Sequence, residues 1–190
     1  MTAVDLQTAP DFAFMNADGN EVRLSDFWES APKGIVLVFL RHFGCLFCRE
    51  HATQLRDHYA EFSKRGYQVV AVGQGTPARS AKFRTDYDLP FPVLGDREMA
   101  SYRLFGLTSG GMGGLIQPRS WVPGVRALLH GSRPGMLDGS LNQNPGTFLI
   151  DRNGRILRQQ IGQHAGDFPS ATEILGWIDS LHQAISAGFW

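Results

Sequence analysis

Residues 35–40, IVLVFL, are the feature that most narrows the folds open to this chain. An unbroken aliphatic and aromatic run lacks the alternation of a half-exposed strand and is typical of a central strand covered on both faces. Residues 67–73, YQVVAVG, predict a second buried strand, and residues 91–94, FPVL, predict a third. Because strands buried on both faces need helices on both sides, the sequence predicts an α/β protein.

Amphipathic segments between and after these strands predict the helices. The first helix is indicated by apolar residues at spacings of three and four, ahead of a stop at Gly66: Cys48, Ala52, Leu55, Tyr59 and Phe62. Residues 76–77, Thr-Pro, predict the start of a second helix, and Asp96 is expected to cap a third. Residues 170–173 form a capping box before a final amphipathic helix.

Two hairpins complete the pattern of elements. Apolar residues alternate on both sides of the turn at residues 18–20, which predicts an N-terminal β-hairpin within residues 10–26. Residues 147–151 and 155–162 flank a second turn, Arg-Asn-Gly, and predict another hairpin. The order of the elements predicts a mixed central sheet with helices on both faces.

The length of the chain and one unusual stretch bear on its domain organisation. With 190 residues, the chain is expected to form a single domain over residues 1–190. Residues 108–146 are rich in glycine and proline and interrupt the alternation of predicted strands and helices. We interpret this stretch as an insertion that serves either as a lid or partner surface, or as a packed surface segment with one short helix.

Charge and hydropathy bear on partners and location. Eighteen basic residues balance eighteen acidic ones, so no nucleic-acid or membrane-surface binding is expected. The longest apolar run, residues 35–40, is far too short to cross a bilayer. The N-terminal residues lack the basic and apolar segments of a secretory signal, so a cytoplasmic location is expected.

The two cysteines, Cys45 and Cys48, lie where the first buried strand ends and the first helix begins. The N–H groups and dipole of a helix N-terminus stabilise a thiolate, so this context favours redox chemistry. Arg41 and His42 are candidates for stabilising the thiolate or binding substrate. Cys48 continues the apolar stripe and should face inward, whereas Cys45 is expected at an exposed tip. On this geometry Cys45 attacks first and Cys48 resolves the intermediate.

A metal site is the main alternative for these cysteines. His42, Cys45, Cys48 and His51 are spaced by three residues and offer the ligand types that zinc accepts. Four ligands within ten residues seldom surround one ion, and His51 is better read as a surface or packing histidine. Haem attachment is excluded because Arg49 stands where the CxxCH motif needs histidine. We therefore expect a redox pair without a metal or other cofactor.

The sequence around these motifs resembles a known family. Residues 9–27 (APDFAFMNADGNEVRLSDF), 91–107 (FPVLGDREMASYRLFGL) and 146–157 (GTFLIDRNGRIL) are similar to the peroxiredoxins of the alkyl hydroperoxide reductase/thiol-specific antioxidant superfamily. Residues 39–55, FLRHFGCLFCREHATQL, more narrowly resemble a CxxC-bearing, peroxiredoxin-like subgroup related to prostamide/prostaglandin F synthase. The resemblance runs from about residue 9 to residue 177 and implies a thioredoxin-like fold.

The resemblance also implies roles for individual residues. Cys48 matches the peroxidatic cysteine of the peroxiredoxin pattern Pro-x-x-x-Thr-x-x-Cys, while Cys45 stands in place of its Thr and Arg41 in place of its Pro. Pro145 stands where these proteins usually carry an arginine. This correspondence favours Cys48 as the first attacker, whereas periodicity favours Cys45, so the order of attack is left open. Thioredoxins place a cis-proline beside their cysteines, and this position falls on Gly146, next to Pro145, which is either cis or a turn proline.

Together these features predict a thiol-dependent antioxidant enzyme. The leading hypothesis is reduction of a peroxide through a cysteine sulfenic acid and an intramolecular disulfide between Cys45 and Cys48. An external thiol reductant, thioredoxin-like or glutathione-like, would restore the pair. The alternatives are a thioredoxin-like reductase acting on disulfide substrates, and a non-enzymatic module that binds metal or a partner through its thiols. A homodimer is left open.

Overall fold

The structure, a computed structural model, describes residues 8–107 and 143–187. The elements in chain order are β1 (Ala13–Met15), β2 (Glu21–Arg23), α1 (Leu24–Ser30), β3 (Gly34–Phe39), α2 (Leu46–Asp57), α3 (Tyr59–Lys64), β4 (Tyr67–Gly73), α4 (Pro77–Asp86), β5 (Val93–Gly95), α5 (Ala100–Leu104), β6 (Gly146–Asp151), β7 (Ile156–Ile161) and α6 (Ala171–Ser186). The predicted buried strands, both hairpins and the final helix are therefore present.

Strand β3 lies at the centre of a five-stranded sheet with the order β5-β4-β3-β6-β7. It pairs in parallel with β4 and antiparallel with β6, so the sheet is mixed, as expected. All five residues from Ile35 to Phe39 have no exposed surface. This complete burial explains the unbroken apolar run in the sequence, because neither face of the strand meets water.

Alternate side chains of β3 enter two separate cores. Val36 and Val38 belong to the core beneath α2 and α6, and Leu37 belongs to the core beneath α1 and α5. Helices thus cover both faces of the sheet, which confirms the predicted thioredoxin-like architecture.

The apolar stripe after the cysteines belongs to two helices rather than the single predicted one. Helix α2 ends at Asp57, His58 leaves helical geometry at φ −103° and ψ 8°, and α3 continues from Tyr59. Phe62 on α3 is still fully buried. The spacing of apolar residues predicts which side chains are buried, but it does not show whether the helix is continuous. The one non-helical residue interrupts the backbone hydrogen bonds, while the apolar side chains of both helices still face the core.

Local side-chain contacts define the turns and the start of α5. In the N-terminal hairpin, which forms a separate two-stranded sheet, the side chain of Asn16 accepts from the backbone N–H groups of Asp18 and Asn20. Asp96 accepts from the N–H and hydroxyl of Ser101, but the helix begins only at Ala100, later than expected.

Part of the predicted organisation lies outside the described residues. Residues 108–142, which contain nearly all of the Gly/Pro-rich insertion, are not among them, so the lid and surface-segment interpretations stay predictions. The single domain over residues 1–190 likewise stays a prediction. Within residues 8–107 and 143–187, no helix is long and apolar enough to span a membrane.

The capping box of α6 gives a stability prediction. The hydroxyl of Ser170 accepts from the N–H of Glu173, and the Glu173 carboxylate accepts from the N–H of Ser170. We expect Ser170→Ala to lower the free energy of unfolding in urea by about 1 kcal/mol, because a backbone donor loses its partner. Ser180→Ala, in the middle of the same helix, should change it by less than about 0.5 kcal/mol. Equal effects of the two substitutions would contradict a specific role for the cap.

Candidate active site

The two cysteines lie beyond the end of β3, where the chain enters α2. Cys45 is the N-cap residue, with φ −72° and ψ 127°, and Cys48 is in the first turn. Both thiols are free. Cys48 has no exposed surface, as predicted, but Cys45 is only 6% exposed and is not at an exposed tip. The prediction was wrong because Cys45 packs into the same apolar core as Cys48, although it lies outside the apolar stripe that begins at Cys48.

Cys48 is held as a protonated thiol. Burial raises its pKa well above the ordinary value, and the hydrogen bond and negative charge of Cys45 raise it further. The backbone N–H of Arg41 donates to the Cys48 sulfur over 3.2 Å, which only partly offsets burial. Cys48 is therefore a hydrogen-bond donor at neutral pH.

Cys45 has the opposite protonation state. The hydrogen bond from the Cys48 thiol contributes most to lowering its pKa, which falls to about 6 although burial opposes the change. Backbone N–H groups of Cys48 and Phe47 and the positive charge of Arg41 act in the same direction. The lowered pKa favours the thiolate of Cys45 at neutral pH.

Arg41 places a buried guanidinium beside this thiolate. Its side chain is 5% exposed, and its Nη1 lies 3.9 Å from the Cys45 sulfur. The Nε of Arg41 donates to the backbone oxygen of Gln143 over 2.8 Å, while the Gln143 side chain donates to the oxygen of Leu107. Gln143 therefore positions Arg41, and the sequence carried no signal for it because the contact spans 102 positions.

Tyr102 is a second residue that sequence reasoning missed. Its side chain is completely buried, and its hydroxyl donates to the backbone oxygens of Leu40 and Val72, at 2.5 and 3.2 Å. These carbonyls lie at the ends of β3 and β4, so Tyr102 anchors the point where the chain leaves the sheet toward Cys45.

His42, a predicted site residue, is buried in the loop between β3 and α2. Its backbone N–H lowers the pKa of Cys48, against the effect of burial.

Pro145 and Gly146 lie at the start of β6. All described peptide bonds are trans, so Pro145 does not form the cis-proline offered by the thioredoxin comparison. Gly146 pairs with Phe39 at the end of β3. A Cβ at Gly146 would come within 2.6 Å of a methyl of Leu107. A larger residue at position 146 would therefore have to displace the Leu107 side chain, a contact that the sequence could not reveal.

His51 is a packing residue rather than a ligand. It is 3% exposed and stacks on Phe168, with ring centroids 4.4 Å apart. Burial lowers its pKa to about 3, so the ring is neutral. Within the described part of the chain, no group of three or more His, Cys, Asp or Glu side chains is arranged to hold a metal ion. The predicted zinc alternative at residues 42–51 thus gains no support from the described geometry.

A five-stranded mixed sheet with two cysteines at a strand-to-helix junction defines a thioredoxin-fold protein with paired thiols. The chain belongs to the AhpC/TSA family, whose model matches residues 6–159. The crystal structure of peroxidoxin BcpB from Mycobacterium tuberculosis has the same fold, with a TM-score of 0.68, 20% sequence identity and coverage of 93% of this chain and 96% of that one.

Curated relatives of this chain include a peroxiredoxin and a thiol-disulfide oxidoreductase. A chloroplastic peroxiredoxin Q from Gentiana triflora is 28% identical over 147 residues, which are 77% of this chain and 54% of the relative. The thiol-disulfide oxidoreductase ResA from Geobacillus thermodenitrificans is 28% identical over 152 residues, 78% of this chain and 64% of the relative. The chain spans about one third to two thirds of the length of the curated relatives it matches. The narrower resemblance to prostamide/prostaglandin F synthase stays a prediction.

The hydrogen bond between the thiols predicts which cysteine reacts first. We expect iodoacetamide to modify Cys45 before Cys48, with a rate that follows a titration midpoint at about pH 6. Cys48→Ala should move this midpoint upward because it removes the donor, and Cys48→Ser, which keeps a hydroxyl donor, should move it less. Mass mapping of the alkylated peptides checks the order, and faster modification of Cys48 would contradict it.

His51 predicts a loss of stability in acid. Its pKa is about 3 when folded against 6.5 as the reference value, so the folded state excludes a proton that the unfolded state binds. Stability from this group is complete above pH 6.5 and is lost as pH falls toward 3, by up to about 1.4 kcal/mol per pH unit. His51→Leu should flatten the pH dependence of unfolding free energy over this range.

Leu55→Val serves as the control for His51→Leu, because it disturbs the same helix without removing a titrating group. It should lower stability by a similar amount at every pH. An unchanged pH slope in His51→Leu, measured by urea unfolding, would show that the buried histidine does not cause the acid sensitivity.

Proposed function

We propose that this protein is a thiol peroxidase in which Cys45 attacks the peroxide and Cys48 resolves the product. The observation that carries the proposal is the position of Cys45 at the N-cap of α2, with the buried Arg41 guanidinium 3.9 Å from its sulfur; the pKa of Cys45 is lowered to about 6. A thiolate is the nucleophilic form of cysteine, so Cys45 is in its reactive form at neutral pH.

The first step oxidises Cys45. Its thiolate attacks one oxygen of a hydroperoxide, so that the S–O bond forms, the O–O bond breaks and an alkoxide leaves to be protonated as an alcohol. Negative charge moves from sulfur to the leaving oxygen during this step. The Arg41 guanidinium, 3.9 Å from the Cys45 sulfur, is placed to stabilise that charge.

The second step closes the disulfide. Cys48 attacks the sulfenic acid sulfur of Cys45, and its proton leaves with the displaced hydroxide as water. Two electrons have then passed from the two thiols to the peroxide. An external dithiol, or two monothiols, reduces the disulfide and regenerates both cysteines.

These roles differ from those implied by the alignment with ordinary peroxiredoxins, in which Cys48 takes the attacking position. Cys48 has no exposed surface and a raised pKa, whereas Cys45 has a lowered pKa and lies beside Arg41. The residues that replace the usual Thr and Pro, Cys45 and Arg41, would thus supply the nucleophile and the charge-stabilising group.

Disulfide reduction is the second candidate function. It is favoured by the similarity to ResA, which is named a thiol-disulfide oxidoreductase, and by the protonation pattern, since a low-pKa thiolate beside a protonated thiol also suits disulfide exchange. The cytoplasmic location and a homodimer stay predictions, and the relative from Gentiana triflora is named a chloroplastic protein.

Peroxide-dependent oxidation of dithiothreitol tests the proposal. We expect the wild-type protein to catalyse it and Cys45→Ser to fall to the background rate, because the nucleophile is lost. Cys48→Ser should stop at the sulfenic acid of Cys45, which dimedone traps for mass spectrometry. Sulfenic acid on Cys48 in the Cys45→Ser variant would reverse the roles. Disulfide reduction without peroxide consumption would instead support the second candidate.

A further inference from the structure

A cavity of about 400 Å³ lies at the end of the sheet opposite the cysteines. Its lining residues come from the entrance to β3, the start of β4, the hairpin that joins β6 to β7, and the last turns of α6. Cys45 follows the other end of β3, whose six residues span about 20 Å. The cavity is therefore separate from the candidate active site, and its volume is typical of a site for a small organic molecule.

One side of this cavity is apolar. Leu157 on β7 and Leu181 and Ile185 on α6 line it. Leu157 and Leu181 pack against the core beneath α2 and α6, whereas Ile185 is 59% exposed. An alkyl or aryl chain that covered these side chains would remove apolar surface from water, so the apolar side favours a ligand with a hydrocarbon part.

Tyr67 supplies a buried hydroxyl to the same cavity. The residue lines the cavity and is only 4% exposed. Its hydroxyl makes no hydrogen bond to any residue in the ranges 8–107 and 143–187. Burial, together with the negative charge of Asp151, raises the pKa of Tyr67, so the hydroxyl keeps its proton and can donate. Because buried hydroxyls are nearly always hydrogen-bonded, this one indicates a ligand that supplies an acceptor oxygen.

The polar side of the cavity carries an excess of positive charge. The Nζ of Lys33 donates over 3.1 Å to Nε2 of His182, whose pKa is lowered by burial and by the charge of Lys33, so the acceptor ring is neutral. The guanidinium of Arg155 makes no hydrogen bond or ion pair with any described residue. Among the described lining residues Asp151 is the one carboxylate, and its Oδ1 already accepts from the backbone N–H groups of Asn153 and Arg155. An anionic group is therefore the better match to this side.

We propose that this cavity binds an organic carboxylate with an apolar tail, such as a medium-chain alkyl carboxylate. The tail covers the three aliphatic side chains, the Tyr67 hydroxyl donates to the carboxylate, and Lys33 and Arg155 attract its charge. The proposal goes beyond the thiol chemistry of the protein and does not depend on it, because the two sites lie at opposite ends of β3.

Two ligands that differ in one charge test the proposal. Octanoate carries the carboxylate, and octanamide has the same tail and a neutral head group of similar shape. In calorimetric titrations of the full chain at low salt, we expect octanoate to bind at least about threefold more tightly than octanamide. The difference should narrow as ionic strength rises, because Lys33 and Arg155 are both exposed. The titrations contain no peroxide or reductant, so their outcome is independent of the proposed function.

Substitutions at the polar side separate a ligand contact from a structural role. Tyr67→Phe should weaken octanoate binding about fivefold, because the donor is lost. It should not lower the free energy of unfolding without ligand, since the hydroxyl makes no hydrogen bond within the described fold. Lys33→Gln should weaken octanoate binding about threefold and leave octanamide binding unchanged. Lys64→Gln, which removes an exposed lysine on α3 outside the cavity, is the matched control and should change neither.

A substitution at the apolar side tests the place of the tail. Ile185→Ser should weaken binding of octanoate and octanamide by the same factor, about threefold, because both share the tail. Leu104→Ser on α5 is the matched control, since Leu104 is 52% exposed and lies outside the cavity. It should leave both affinities unchanged.

Three results would overturn the proposal. The first is absence of octanoate binding to the wild-type protein, and the second is equal affinity for octanoate and octanamide. The third is undiminished octanoate binding in Tyr67→Phe. Sedimentation of the wild-type protein decides what takes the place of the carboxylate: a dimer that Ile185→Ser dissociates, found without octanoate binding, would assign this face to a second copy of the chain and would also overturn the proposal.

Discussion

The placement of the Cys45 sulfur at the start of α2, 3.9 Å from the buried Arg41 guanidinium and close to Cys48, organises the candidate active site. It divides two chemically identical side chains into a donor with a raised pKa and an acceptor with a lowered one. Both thiols lie in the core beneath α2, but Cys48 has no exposed surface, whereas Cys45 is the N-cap residue of α2 and has the Arg41 guanidinium beside its sulfur. In the function we propose, this small difference in position along one helical turn makes Cys45 the nucleophile and Cys48 the resolving thiol.

That arrangement depends on where β3 ends. The strand is buried on both faces. The Tyr102 hydroxyl donates to the carbonyl oxygen of Leu40, just after β3, and to that of Val72, near the end of β4. The chain then turns so that the Arg41 N–H reaches Cys48 and the Arg41 side chain reaches Cys45, with Gln143 accepting from the same guanidinium. The sheet therefore acts as a rigid support, which is the condition for holding two sulfurs and a guanidinium at fixed distances.

Much of this could be predicted from local patterns. The apolar run of β3, the turn residues of both hairpins and the capping box at Ser170 each act within a few residues, so their signals are readable along the chain. Contacts between residues that are far apart in the sequence gave no such local signal. Gln143 meets Arg41 across 102 positions, and the Tyr102 hydroxyl reaches the carbonyl oxygen of Leu40 across 62 positions.

The sequence by itself determined the α/β architecture and the presence of a thiol pair at a helix start, because periodicity and motif spacing are local properties. Only the tertiary structure decided the burial of Cys45, the direction of each pKa shift and the position of Arg41 beside the Cys45 sulfur. These depend on desolvation and on distances between elements far apart in the chain. Such quantities exist only once β3, α2 and α4 have packed together.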